Sequence, residues 1–196
     1  TISPLKLEIM LLLSITTGIR QGELRALRRC DYSANRQIIS IRGGIDHGTQ
    51  NIGNAKTEEG QDREIEVPSV VCKMLDDLLA KSRFQAHDDL VFPSTTGTPL
   101  RKNDFCHAVK PMRAVCPFKD EETGKPLHFL WADMRHAFAS NMINQLGPNW
   151  IEVSESMGHK NPEFTKRRYG HYIEDEEKSQ RKREAAGAVL VTRKGR

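Results

Sequence analysis

Residues 3–18 constrain the fold more than any other stretch. Ser3-Pro4 sets an N-cap ahead of a proline at the first helical position, Gly18 supplies a stop, and Leu5, Ile9, Leu12 and Leu13 recur between them at helical spacing. Further apolar residues widen that stripe beyond one face, so the helix has to be largely buried and the rest of the chain has to wrap it. Thr16-Thr17-Gly18-Ile19-Arg20-Gln21-Gly22-Glu23-Leu24-Arg25-Ala26-Leu27 follows at once. Arg20 therefore sits on a tight turn between a buried helix and a second one, a place from which it can be aimed rigidly into a cleft. Glu23, three residues on, can orient it through a charge-assisted hydrogen bond. For that segment alone, a surface arginine after a helix cap is an equally good reading.

Beyond Leu27 the period changes. Ile38, Ile39 and Ile41 are β-branched, Gly43-Gly44 opens a polar loop, and Arg63-Glu64-Ile65-Glu66-Val67 alternates with period two. The pattern predicts a small antiparallel sheet of about three strands, at 37–42, around 51–57 and at 63–67. Lys56 would project from its middle strand or turn, where a lysine is ordinarily a solubilising charge. Pro68 ends the sheet. Val71, Leu75, Leu78 and Leu79 mark a helix over 69–82, and Phe105, Val109 and Met112 mark another that Pro111 should kink or end. Residues 116–126 read as a loop.

The second half carries three helical segments. Trp131 to Ser140 begins one, capped by Asp133, with Arg135 in its first turn. The helix dipole favours an anion there, so a cation is misplaced unless an anion or an acidic partner comes to it. Asn149 to Met157 forms a short helix stopped by Gly158. Asn161-Pro162 opens the next, with His159 in the turn between them. That helix bears Thr165-Lys166-Arg167-Arg168-Tyr169. A phenol, with an ordinary pKa of about 10, is a poor nucleophile until cations stabilise its anion. On this segment alone, a solvated basic helix with a half-buried tyrosine is the better reading. After Tyr172, an acidic block at 174–177 and a basic block at 181–183 suggest an exposed helix, and 188–192 a short terminal strand.

With 196 residues and 37% hydrophobic composition, one domain is the default. The 30 lysines and arginines barely outweigh 26 acids, so a nucleic-acid partner has to be argued from patches and not from the total. Four widely spaced cysteines suggest neither a zinc site nor a disulfide framework. The longest apolar run, Ile9 to Ile15, is far short of the roughly 20 residues that span a bilayer. The chain reads as soluble and cytoplasmic, and its opening without Met reads as a domain of a longer protein.

Taken together these segments resemble the catalytic domain of the tyrosine recombinase family, the phage and transposon integrases. The resemblance rests on five boxes. Thr17 to Leu24 is the first arginine box, and Ala55-Lys56-Thr57 with Arg63 to Pro68 is the hairpin lysine. Asp133 to Ala139 is the second arginine box, Met157-Gly158-His159 the histidine turn, and Thr165 to His171 the nucleophile segment. The resemblance implies an α+β, mainly helical fold with a small three-stranded antiparallel sheet packed on a helical bundle. It implies a catalytic domain over 1–196, with 173–196 as a tail exchanged between protomers and the family's N-terminal core-binding domain absent.

It also implies a site-specific recombinase, bacterial or phage-encoded and associated with the nucleoid, that cleaves and rejoins DNA through a 3′-phosphotyrosyl link without metal or other cofactor. The catalytic set would be Arg20, Lys56, Arg135, His159 and Tyr169. Lys56 would protonate the departing 5′-oxygen, and His159 would donate to a phosphate oxygen and help accept the phenol proton. Arg25, Arg28, Arg29, Lys166, Arg167 and Arg168 would bind the phosphates of double-stranded DNA, as a homotetramer on DNA and a monomer off it. One departure stands out: the family's usual histidine or lysine three residues before the second arginine is Ala132 here. His128 lies further upstream with no spacing that assigns it the role, and His136, on the neighbouring face to Arg135, reads as structural. The rival functions are a non-catalytic DNA-binding module, a type IB topoisomerase and a helical adaptor without a nucleic-acid role.

Overall fold

The computed structural model describes residues 2–45, 52–54, 63–115, 119, 123–124, 130–147, 149–159 and 161–170. Helix α1 (Pro4–Thr17) is the buried helix that residues 3–18 demand. Ser3 Oγ accepts the Lys6 N–H, and Gly18 closes the helix at φ 64°. Ser14, Thr16 and Thr17 each donate a hydroxyl to the carbonyl four residues back, so these three hydroxyls are satisfied inside the helix itself.

α2 (Gln21–Ala26) and a 3₁₀ turn (Arg29–Asp31) lead into the strands β1 (Tyr32–Ser33), β2 (Ile38–Ile41), β3 (Gly43–Ile45), β4 (Ile52–Asn54) and β5 (Arg63–Glu66). These form two sheets where the sequence suggested one. The larger runs β1-β2-β5, all antiparallel, with Ile39 opposite both Tyr32 and Ile65. The segment expected in its middle pairs instead with β3 in a separate two-stranded ribbon. The cause lies in the core: Ile39 and Ile65 are buried against α1 and α3 and pair directly, whereas Gly43-Gly44 offer nothing to bury. The glycine strand bends onto α2, whose Gly22 lies so close that a Cβ there would meet Ile45 O at 2.8 Å.

α3 (Ser69–Ala80) and α4 (Lys102–Val115) complete the larger core. α4 runs through Pro111 rather than stopping there, because Phe105 and Val109 anchor it on both sides of the preceding turn. That core packs Ile9, Met10 and Leu13 of α1 against Leu24, Ile39, Leu75 and Phe92. Each such side chain contributes about 1.5–3 kcal/mol by leaving water.

A smaller core joins α5 (Trp131–Leu146), α6 (Trp150–Met157) and the helix at 162–170, here α7, through Phe138, Ile143, Val153, Met157 and Tyr169. Asp133 is the third residue of α5, not its cap, and accepts the Leu130 N–H at 2.7 Å. Asn149 Oδ1 and Asn161 Oδ1 accept N–H groups at the starts of α6 and α7. The two cores meet where α1 ends: a Cβ on Gly18 would lie 2.4 Å from the Phe138 ring. Only a glycine lets α5 approach the turn that carries Arg20.

Candidate active site

Arg20 occupies the N-cap of α2 in extended conformation, which turns its side chain across the end of α1. Its Nη1 donates to Glu23 Oε1 at 2.8 Å and its Nη2 to Gly158 O at 2.6 Å. Arg135 enters from α5 and donates through Nη1 to Gly18 O and through Nη2 to Met157 O. The two guanidinium groups, from boxes near opposite ends of the chain, thus grip consecutive carbonyls of one turn. That turn is the αL corner at Gly158, φ 60°, where α6 gives way to His159.

Beneath them lies a buried ion cluster. Arg63 on β5 makes a two-pronged contact with Glu23, Nη1 to Oε1 at 3.0 Å and Nη2 to Oε2 at 2.8 Å, with both side chains 10% exposed or less. Burial opposes ionisation of Glu23, but hydrogen bonds and charge from Arg63 and then Arg20 outweigh it and hold the carboxyl below its usual range. Three guanidinium groups around one carboxylate leave a positive surplus. Arg135 feels it: burial, then the charge of Arg20 and Arg63, pulls its pKa down to about 9, which still leaves it protonated at neutral pH. His159 feels it too, pushed down to about 4 by burial and then by Arg135, Arg20 and Arg63. Its imidazole is neutral at pH 7, with Nδ1 2.8 Å from the buried Thr165 hydroxyl. A site with this electrostatics attracts an anion.

Tyr169 completes the arrangement from α7. It is 3% exposed, and its hydroxyl lies 2.7 Å from His136 Nδ1. Ionised, it would act to raise the Arg135 pKa, so the phenol lies within electrostatic reach of that guanidinium. A groove of roughly 670 Å³ opens along it, lined by Asp133, His136, Ser140, Arg167 and Arg168 as well as Tyr169.

The sequence profile described as the Phage integrase family matches residues 2–176. The chain belongs to the Phage integrase family. It is similar to Tyrosine recombinase XerD of Vibrio cholerae serotype O1, at 24% identity over 163 residues that make up 80% of this chain and 47% of that protein. The chain therefore spans about half the length of that curated relative. Among solved structures it is similar to the Tn1549 transposon integrase in complex with transposon right end DNA. There the TM-score is 0.66 and the identity 23%, with 90% of this chain and 58% of the other covered. It is also similar to XerH bound to a palindromic difH substrate in a post-cleavage complex, at TM-score 0.63 and 19% identity, covering 93% of this chain and 45% of the other. The fold is that of the catalytic domains of such recombinases, mostly helical with small antiparallel sheets.

Within this integrase-family fold, Arg20, Arg135, His159 and Tyr169 come together, while Lys56 and His128 lie outside the described residues. Lys166, Arg167 and Arg168 are exposed on α7. Arg25 departs from the expectation that it meets DNA. It is 1% exposed, with Nε donating to Leu100 O at 2.6 Å and Asp104 nearby, so it braces α2 against the start of α4. Arg28 and Arg29 are half-buried and donate to Asp88 O, and to Leu79 O and Phe84 O, tying the 3₁₀ turn to the segment after α3.

Two residues of the site escaped the sequence reading. Arg63 reads in the sequence as the start of an alternating strand and part of the hairpin-lysine box, with no role of its own; its signal is its place on the same strand face as the buried Ile65, opposite Ile41 in the sheet register. His136, read as structural, touches the tyrosine. Adjacent helical positions diverge by about 100°, and α5 lies between two partners, so Arg135 serves the Gly158 turn while His136 serves α7. Ala132 is exposed.

Proposed function

We propose that this chain is the catalytic domain of a site-specific DNA recombinase, in which Tyr169 attacks a phosphodiester of double-stranded DNA. The phenolic oxygen bonds to phosphorus, the bond to the 5′-oxygen breaks, and a 3′-phosphotyrosyl link conserves the energy needed for rejoining to another strand. One observation carries this reading: the guanidinium groups of Arg20 and Arg135 converge on consecutive carbonyls of the turn that bears His159, with Tyr169 alongside.

In the transition state negative charge gathers on the two non-bridging oxygens. Arg20 and Arg135 answer it with forks that are charged at neutral pH and already oriented by Glu23 and backbone carbonyls, so little reorganisation is needed at the moment of reaction. Each fork carries five N–H groups, which leaves donors for phosphate beyond those the carbonyls and Glu23 take. His159 is neutral with Nδ1 2.8 Å from the Thr165 hydroxyl; with that hydroxyl donating to Nδ1, it offers Nε2–H to a phosphate oxygen. Lys56 serves as general acid for the 5′-oxygen. Arg167 and Arg168 on the groove, with Lys166 on the same helix, hold the DNA backbone. Assembly as a tetramer on DNA follows from joining two duplexes, and residues 173–196 are the proposed tether between protomers.

The test is covalent capture. A randomised pool of nicked duplexes, from which cleavage releases a short fragment that cannot be rejoined, is incubated with the protein and the attached DNA is recovered and sequenced. Parent protein should accumulate an adduct on a narrow sequence class, Tyr169→Phe should accumulate none, and replacing either arginine should slow capture by about 10²–10³-fold. Salt-dependent DNA binding without any adduct would establish the binding module instead, and capture without sequence preference a topoisomerase-like activity.

A further inference from the structure

The hydroxyl of Tyr169 meets His136, with Nδ1 2.7 Å from the phenolic oxygen and the two rings 5.7 Å apart, tilted by 54°. The position at which the family usually carries a histidine or lysine is Ala132, whose methyl group cannot take a proton. His159, the other histidine of the site, has its Nδ1 committed to Thr165. Resting on the strand-transfer function proposed above, we infer that His136 is the proton acceptor for Tyr169. In cleavage the phenolic proton passes to His136 Nδ1 as the Tyr169 oxygen bonds to phosphorus and the bond to the 5′-oxygen breaks, that oxygen taking its proton from the general acid. In rejoining, the 5′-hydroxyl attacks phosphorus and gives its proton back to the same general acid, the tyrosyl bond breaks, and His136 returns its proton to the phenol.

The surroundings suit that role. An acceptor has to be neutral before the step, and burial first, then the charge of Arg168, lowers the His136 pKa from its ordinary value. Asp133 on its own helix pulls the other way, and Arg135 adds to the lowering. His159, across the site, senses the same imidazole. Once protonated, the imidazolium stands one turn along α5 from the Asp133 carboxylate, which stabilises it. For this transfer the phenol must donate to Nδ1 in the 2.7 Å contact, which leaves the hydrogen on Nε2. Arg168 Nη2 stands 3.5 Å from Nε2; with the hydrogen on Nε2 this is an approach of two donors and not a hydrogen bond, and the exposed Arg168 side chain is free to turn from it toward a DNA phosphate.

The experiment combines single-turnover capture on the selected duplex with nitrogen NMR of the unaltered full chain. His136→Asn keeps an acceptor atom near the Nδ1 position but cannot take a proton. It should lower the rate of adduct formation by about a hundredfold or more and abolish the fall in rate at low pH that protonation of His136 produces. A 5′-bridging sulfur, which leaves without needing a proton, should not restore this variant, whereas it should restore Lys56→Ala. Added imidazole should partly restore His136→Gly. The NMR spectrum should show the hydrogen on Nε2, with Nδ1 shifted by Tyr169→Phe.

A His136→Asn variant that cleaves within about threefold of the parent, with the same pH profile, overturns the inference and leaves the proposed function standing. A hydrogen found on Nδ1, or a rescue of His136→Asn by the 5′-sulfur, does the same. A parent chain that forms no adduct on any duplex overturns both.

Discussion

Glu23 and Tyr169 are both buried polar side chains that face the same site, and they are held in different ways. Glu23 accepts from Arg20 N and Nη1 and from both Arg63 nitrogens, charged contacts of 2.8–3.0 Å that join α2, β5 and, through Arg20, the Gly158 turn. Tyr169 meets a neutral imidazole on a neighbouring helix. Hydrogen bonds to charged groups contribute about 1.5–3 kcal/mol each, and neutral ones about 1. The difference teaches a division of labour. In the proposed function, the groups that would receive the charge of the transition state are locked before substrate arrives, whereas the proposed nucleophile rests in a contact it can leave cheaply.

Glu23→Gln is the most severe way to break that comparison. It leaves Arg63 and Arg20 facing each other in a buried site without a counter-charge, and removing one partner of such a cluster costs about 3–5 kcal/mol. The urea midpoint should drop accordingly with an unchanged slope. Tyr169→Phe, on the other side of the site, should shift it by about 1 kcal/mol. Equal losses for the two variants would mean that the two sides are held alike.

Gly158→Ala tests the joint between them. Its φ of 60° costs an L-residue about 1–2 kcal/mol, and a Cβ there would stand 2.8 Å from the Arg63 guanidinium carbon. Part of the loss should therefore vanish when Arg63 is replaced as well. In a double-mutant cycle over Gly158→Ala and Arg63→Ala, additive losses would show that strain in the turn, and not the guanidinium, sets its cost.

A subtler probe is pH. The folded pKa of His159, about 4, lies below the ordinary value near 6.5, so between those values the unfolded chain binds more protons than the folded one. The stability this histidine contributes is complete above about 6.5 and is lost as pH falls toward 4. His159→Gln should flatten the dependence in that window. A phosphate on Arg20 and Arg135 brings one negative charge that offsets part of the positive charge depressing the pKa, so inorganic phosphate or DNA should bind with proton uptake near pH 5. Calorimetry in two buffers of different ionisation heat measures it, and binding without uptake would place the anion away from His159.

Much of the site was readable in the sequence because its parts are local. Ser3-Pro4, Asn149 and Asn161-Pro162 are start signals whose chemistry acts within one turn, and all three mark helices that form. Arg20 sits on a tight turn between two helices and Arg135 in a first helical turn that has little use for a cation, which is why their positions stand out. What spacing could not carry was partnership across the fold. Ile39 pairs with Ile65 and not with the segment around residue 52, because burial against α1 decides the register. Arg25, three residues before Arg28 in a basic stretch, looks like its neighbours on paper and goes into the core because Leu100 O waits there. His136 is separated from Tyr169 by 33 positions, and only the packing of α5 on α7 brings them together.

The distinction between cations proposed to face DNA and cations that brace the fold yields the smallest and most specific expectation. Each phosphate contact releases counterions and contributes about 0.9 to the slope of log affinity against log salt. Arg167→Gln and Arg168→Gln, on the exposed face of α7 along the groove, should each reduce that slope by about 1 and weaken binding to all duplexes alike. Arg28→Gln removes a donor that the structure directs at Asp88 O, so it should leave the slope unchanged while lowering stability slightly. A slope that falls for Arg28→Gln as much as for Arg168→Gln would bring the 3₁₀ turn onto the DNA and extend the interface across the arginine side of the molecule. The contrast is read from slopes and not affinities because a folding defect scales every affinity by the same factor, whereas only a lost phosphate contact changes the number of ions released.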